Sequence, residues 1–333
     1  MKNIVLLSFG KEYEWKRAIF SILSFWGWYE GKKDDVRTII YTDNPDYFNT
    51  YLSDFDITYV KTSYAEIREV KRNAGGNMFR IKISVLERTF AQYPDDDLLY
   101  IDTDTFFRTN PQPLLDGIKP GQSFMHLRER TFEEAIDWAK WEQDGITDFQ
   151  KFPKSFVQLI ESQNFNIGGK EVTFNRSQYM WNAGALGMSK EMASYIPDIY
   201  ALNDEFHART LWRLSEQSAF SLVLNEVTTL SEAEEYINHY WSFKKQVDLR
   251  LKDLLTDNFI KLTVTDKIES VKQFTQRLDK YLYHEHMISQ TRNSLREKDF
   301  KSALTFVTKA VTSVPLNDDL VKSIKYRLFK MAS

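Results

Sequence analysis

Short apolar runs alternate with amphipathic stretches along the first hundred residues. Residues 4–7 (Ile, Val, Leu, Leu) are continuously apolar and end at Ser8-Phe9-Gly10, which predicts a strand buried on both faces. Over residues 14–28 the apolar positions Ile19, Ile22, Leu23 and Trp26 fall on one side of a helix. Residues 37–41 predict a second strand, closed by the turn residues Asp43-Asn44-Pro45. A third, weaker strand follows over 57–60. Residues 78–92 carry Met78, Ile81, Val85, Leu86 and Phe90 at helical spacing, and residues 98–101 predict a fourth strand that ends at Asp102-Thr103-Asp104.

Strands alternating with helices predict an α/β fold with a largely parallel sheet between helical layers. Ligands of such sheets bind outside the carboxyl ends of the strands, where Ser8, Asp43 and Asp102 fall. The rhythm breaks over residues 126–180: a helix is expected at 132–143, then an irregular polar stretch. Residues 180–188 return as a strand of small residues, and 214–224 as a helix. Beyond about residue 265 the pattern is helical. Leu295, Phe300, Ala303, Leu304, Val307 and Ala310 predict a helix over 293–314, half of a helical hairpin. The expected division is a catalytic domain over 1–262 and a helical extension over 263–333.

Composition narrows the function. With 42% hydrophobic residues among 333, the chain can build a sizeable core, and a net charge of −3 gives no global basic surface for nucleic acid. Cysteine is absent, which excludes disulfides, thiolate zinc sites and thiol nucleophiles and suits a cytoplasmic setting. The apolar runs near the N-terminus are too short for a signal peptide or a membrane span. Aromatic residues reach 15%; they fill cores, and they also stack on the apolar faces of sugars. Residues 266–333 hold 13 Lys and Arg against 8 Asp and Glu, a net +5 on an otherwise acidic chain. That basic tail reads either as a solvated face capping the core or as a peripheral contact with anionic lipid at the inner membrane face.

Two carboxylates one residue apart, just past a buried strand, can share a hard divalent cation such as Mg²⁺ or Mn²⁺. By contrast, Asp95-Asp96-Asp97 reads as a solvated loop. His284 and His286, two apart on a helix, do not share a face and are rejected as a metal pair.

Residues 98–107, Leu-Leu-Tyr-Ile-Asp-Thr-Asp-Thr-Phe-Phe, resemble the signature of glycosyltransferases with the GT-A fold. Those enzymes hold Mn²⁺ or Mg²⁺ on a nucleotide diphosphate sugar with the two aspartates. Further stretches resemble family 8 of these transferases in the same order. Met78-Phe79-Arg80-Ile81-Lys82 resembles the helix whose Arg faces the donor, Trp181-Asn182-Ala183-Gly184 the strand whose Asn lies near the donor sugar, and Glu216-Gln217 the acidic-Gln pair opening a later helix. His239 and Lys245 have the spacing of the family's His-x-x-Gly-x-x-Lys, in which His is the third metal ligand and Lys meets phosphate. Ser242 replaces the glycine and no Pro-Trp follows, so Lys244 competes with Lys245.

The resemblance covers roughly residues 1–250 and implies a metal-dependent enzyme acting on a UDP-sugar and a glycan, lipid-linked or protein acceptor. It implies Asp102, Asp104 and His239 at the metal. It implies Ser8, Asp43, Arg80, Lys82, Thr103, Asn182 and Lys245 around the donor, and Glu216 and Gln217 at the reacting centre. Retention of configuration is the family's outcome; Glu216 as a general base for inversion is the alternative. A non-catalytic scaffold of the same fold is the other reading. A haloacid-dehalogenase phosphatase would carry its Asp-x-Asp on the first strand. A nucleotidyltransferase would need a Gly-rich basic loop after that strand, for which Ser8-Phe9-Gly10-Lys11-Glu12 is a poor fit.

Overall fold

The computed structural model describes residues 1–73, 78–139 and 151–313. The chain alternates as expected. It runs β1 (Lys2–Ser8), α1 (Glu12–Trp28), β2 (Val36–Thr42), α2 (Pro45–Leu52), β3 (Ile57–Lys61), α3 (Tyr64–Asn73), α4 (Arg80–Gln92) and β4 (Asp97–Ile101). Then come β5 (Thr105–Phe107), α5 (Gln112–Gly117), β6 (Gln122–Thr131), α6 (Phe132–Trp138), α7 (Lys151–Ser162), β7 (Phe165–Ile167), β8 (Lys170–Val172) and β9 (Tyr179–Met188). The described chain closes with α8 (Ile196–Thr210), α9 (Ser215–Val227), β10 (Thr229–Glu232), β11 (Ile237–His239), α10 (Lys244–Leu254), α11 (Asp257–Ile260), α12 (Val264–Arg296) and α13 (Phe300–Ser313).

Seven strands form one sheet in the order β10-β6-β9-β4-β1-β2-β3. It is parallel except at β9, which runs antiparallel to both β4 and β6. Both faces are covered, and alternate residues of each central strand divide between them. Val5, Leu7, Leu98 and Tyr100 enter one core with α4, α8 and α9. Ile4, Leu6, Leu99 and Ile101 enter the other with α1 and α12. This is why the strands read as unbroken apolar runs: period-two alternation is invisible when both faces are dry.

The C-terminal helices belong to the second core. Val271, Leu278 and Leu282 of α12 pack there, Trp28 Nε1 donates to Thr275 Oγ1 at 3.0 Å, and the buried Lys267 pairs with Asp54 at 2.9 Å. Among the described residues no helix is long and apolar enough to cross a membrane.

Three expectations need correction. The stretch 126–180 is more regular than its polarity suggests: it holds the end of β6, α6, α7 and the β7–β8 hairpin, and residues 140–150, with the expected helix end at 143, lie outside the described residues. The helix expected over 293–314 is broken, because Lys298 takes a left-handed φ of 62° between α12 and α13; Val314 lies outside the described residues. Of the three aspartates at the start of β4 only Asp95 is solvated. Asp96 pairs with Arg37 at 2.8 Å and Asp97 with Lys2 at 2.6 Å, so both anchor strand edges.

Candidate metal centre and the cavity around it

The site is assembled where the main sheet meets a small one. β4 ends at Ile101, and its pairing continues one step as the Asp102 N–H donates to Gly184 O at 2.9 Å. After the turn, β5 pairs antiparallel with β11, and Thr105 lies opposite His239. That register brings together residues far apart in sequence. His239 Nε2 sits 3.3 Å from Asp104 Oδ2, and one ligand atom each from Asp102, Asp104 and His239 all lie within 4.8 Å of one another. The Tyr240 N–H donates to Asp104 O at 3.0 Å and ties the end of β11 to the turn.

Two lysines face the acidic pair. Lys82 Nζ is buried on α4, 3.2 Å from Asp102, 3.2 Å from Glu216 Oε1 and 3.0 Å from Ala183 O. Burial opposes its charge, but Asp102 and Glu216 outweigh that and raise its pKa. Burial pushes the Glu216 carboxyl up to about 7; Lys82 pulls against this and Asp102 adds to it. Lys244 Nζ, in the first turn of α10, is 2.8 Å from Asp104 Oδ2. Burial would raise Asp104, but its contacts with His239 and Lys244 hold its carboxyl far below the usual range. Even so, Asp104 Oδ2 is buried with no partner in hydrogen-bond geometry.

Two site residues escape a reading of the sequence because they sit in strand irregularities. The β6–β9 register shifts once between Met125 and Leu127 and again between Arg128 and Arg130. Such bulges re-aim side chains. At the first, His126 is buried with its ring 5.4 Å from that of His239, and Nε2 contacts Ile237 O at 3.0 Å. Burial above all, with the His239 ring beside it, depresses its pKa to about 3. At the second, Glu129 accepts from Asn182 Nδ2 at 3.0 Å and from Gln217 Nε2 at 3.1 Å.

A cavity of about 380 Å³ opens over this cluster. Asp102, Thr103, Asp104, Lys82, Asn182, Glu216, Gln217 and His239 all line it, and Met78, Phe79 and Trp241 contribute exposed apolar walls. Four residues expected around the donor do not line it. Ser8 is buried at the end of β1, while its neighbours Leu7 and Phe9 reach the cavity. Both oxygens of Asp43 are engaged, by Gly10 N at 2.9 Å and Trp15 Nε1 at 3.1 Å. Arg80 turns to α8, where it pairs with Asp204 at 2.8 Å and stacks on Tyr200. Lys245 is displaced by Lys244, since adjacent helix residues point about 100° apart and only Lys244 faces Asp104.

No family model matches the chain and no curated protein matches it in sequence. Solved structures are distantly similar. Mouse xyloside xylosyltransferase 1, in its apo form, is 13% identical over 70% of this chain and 85% of its own, with a TM-score of 0.43. The galactosyltransferase LgtC, in complex with donor and acceptor sugar analogs, is 14% identical over 69% of this chain and 73% of its own, with a TM-score of 0.41. The glycosyltransferase GlyE of Streptococcus pneumoniae TIGR4 is 11% identical over 79% of this chain and 52% of its own, with a TM-score of 0.38.

Proposed function

We propose that this protein is a metal-dependent glycosyltransferase that moves a sugar from a nucleotide diphosphate sugar, a UDP-sugar first among them, to a glycan or other acceptor. One observation carries the reading. Asp102, Asp104 and His239 converge within 4.8 Å at the carboxyl edge of a mostly parallel sheet, beside a cavity.

The residues fit a divalent cation. Two carboxylates and an imidazole are a donor set suited to Mn²⁺ and workable for Mg²⁺. The buried Asp104 Oδ2 has Lys244 Nζ 2.8 Å away but no partner in hydrogen-bond geometry, a place a cation would fill. Bound there, Mn²⁺ or Mg²⁺ would neutralise charge gathering on a diphosphate leaving group. Lys82 and Lys244 are placed to add positive charge to the same oxygens. The exposed Trp241 offers a stacking surface for a base or a sugar.

Glu216 and Gln217, which line the same cavity, are proposed to flank the reacting carbon. Glu129 fixes Gln217 there. A carboxyl near pH 7 can exchange a proton at neutral pH, so Glu216 acting as a base for inversion stays open beside retention. Peripheral contact with an anionic membrane face through the basic tail belongs to this proposal as well. Residues 314–333 of that tail lie outside the described part.

The test is a screen of UDP-sugars for slow, Mn²⁺-dependent hydrolysis, with Asp104→Ala as control. Release of UDP that needs both Mn²⁺ and Asp104 supports the transferase. Absence of turnover with every nucleotide sugar, despite a folded protein, favours the scaffold. The anomeric configuration of the released sugar decides between retention and inversion.

A further inference from the structure

Both polar atoms of Asn182 are engaged by the protein itself. Its Oδ1 accepts the Gly184 N–H at 2.9 Å, and its Nδ2 donates to Glu129 Oε1 at 3.0 Å. A backbone N–H can only donate and a carboxylate can only accept, so the carboxamide has one orientation. The same Oδ1 lies 2.8 Å from His239 Nδ1. An amide oxygen carries no hydrogen, so Nδ1 must carry it. A neutral imidazole has one N–H, which leaves Nε2 as a bare lone pair. That lone pair faces Asp104 Oδ2 at 3.3 Å, an atom with no hydrogen bond of its own. Two acceptors at that separation need positive charge beside them; Lys244 Nζ, 2.8 Å from the same oxygen but outside hydrogen-bond geometry, supplies it on one side, and a divalent cation would supply it to both atoms.

Gly184 completes the arrangement. A Cβ at this position would lie 2.2 Å from His239 Nδ1 and 2.5 Å from Cε1. Only glycine admits the ring. Its N–H orders Asn182, and its carbonyl accepts Asp102 N at 2.9 Å.

We propose that Asn182 is a positioning residue that holds His239 in the Nδ1–H tautomer, presenting Nε2 to the divalent cation, and that Gly184 is required to seat the ring. This rests on the metal reading above and gives the Asn-Ala-Gly strand a role other than contact with the sugar. Neighbours that orient a metal-ligating histidine through its second nitrogen typically change metal affinity by about 10–100-fold.

The experiment uses full-length protein labelled with ¹⁵N-histidine. The chain has five histidines, and His239→Gln identifies the signal of interest. Two-bond ¹H–¹⁵N correlations are recorded while pH is raised until the ring is neutral. The expected wild-type ring is Nδ1–H. Asn182→Leu, which has no acceptor, shifts it toward Nε2–H, whereas Asn182→Asp, which keeps an oxygen at Oδ1, preserves Nδ1–H. In calorimetry, Asn182→Leu weakens Mn²⁺ by about 10–100-fold and Asn182→Asp by far less. A neutral wild-type ring in the Nε2–H form overturns the proposal with no variant needed. So does Asn182→Leu with unchanged tautomer or unchanged affinity. If wild type binds no Mn²⁺ at all, the metal reading fails, and the tautomer alone decides whether Asn182 sets the ring.

Discussion

Arg17 on α1 grips Asp248 on α10 with two parallel bonds, Nε to Oδ1 at 2.7 Å and Nη2 to Oδ2 at 2.6 Å. The same guanidinium bonds Glu14 at 2.7 Å, and the other oxygen of Glu14 accepts from Thr103 Oγ1 at 2.8 Å. Thr103 sits between the two aspartates of the site. A single buried arginine therefore couples the turn of the metal site to α10, one turn beyond Lys244.

This coupling makes Asp248 matter at a distance. Asp248→Asn weakens the grip on a buried cation, which is expected to destabilise the fold by about 1.5–3 kcal/mol. It is also expected to loosen Lys244 and weaken UDP binding. Urea denaturation reads the first effect and calorimetry the second; loss of stability with wild-type UDP affinity would show that α10 does not position Lys244.

Lys82 is the counterion for Asp102 and Glu216 together. Lys82→Met leaves the buried Glu216 and the partly buried Asp102 without their shared partner and is expected to cost about 1–3 kcal/mol. Adding Glu216→Gln removes one of the two carboxyls left without that partner, so the double variant is expected to be more stable than Lys82→Met alone. A double variant no more stable than the sum of the two single changes would contradict the pairing.

The pH profile carries a sign that can be checked. Glu216 is raised to about 7 in the fold, so protonated Glu216 contributes stability in full below its ordinary value of 4.5. That contribution, about 3 kcal/mol, is lost as pH rises through 7. His126 acts oppositely: its pKa falls from 6.5 to about 3, so stability is lost as pH drops through that window. The two slopes offset one another between about pH 4.5 and 6.5. The informative quantity is thus the difference between wild type and Glu216→Gln, which is expected to shift toward the variant from pH 5 to pH 8. A difference independent of pH would mean that Glu216 is not the buried acid described.

Gly184→Ala places a methyl 2.2 Å from the His239 ring. Because the neighbour is a side chain that can swing away, the expected result is a folded protein whose Mn²⁺ affinity drops far more than its thermal stability. Equal Mn²⁺ affinity in Gly184→Ala would show that the ring position is not critical.

Much of this was legible in the sequence, and what was not has identifiable causes. The central strands could be read to within two residues because sheets covered on both faces use continuous apolar runs. Asp102 and Asp104 could be singled out because they follow such a run. His239 could be singled out only through a spacing, and the same spacing pointed to Lys245, where the start of α10 aims Lys244 instead. Glu129 and His126 were hidden by bulges, since a register shift leaves no mark in a single sequence. Arg80 looked like Lys82 in sequence. Which of the two turns inward depends on how α4 packs on α8, and Asp204 takes Arg80 away.

The most direct measurement is calorimetric titration of UDP into the wild-type chain with and without Mn²⁺, repeated with Asp104→Ala. Binding is expected to require Mn²⁺ and to disappear in the variant. Metal-independent binding that survives Asp104→Ala, or no binding of UDP, GDP, CMP or dTDP under any condition, would contradict it.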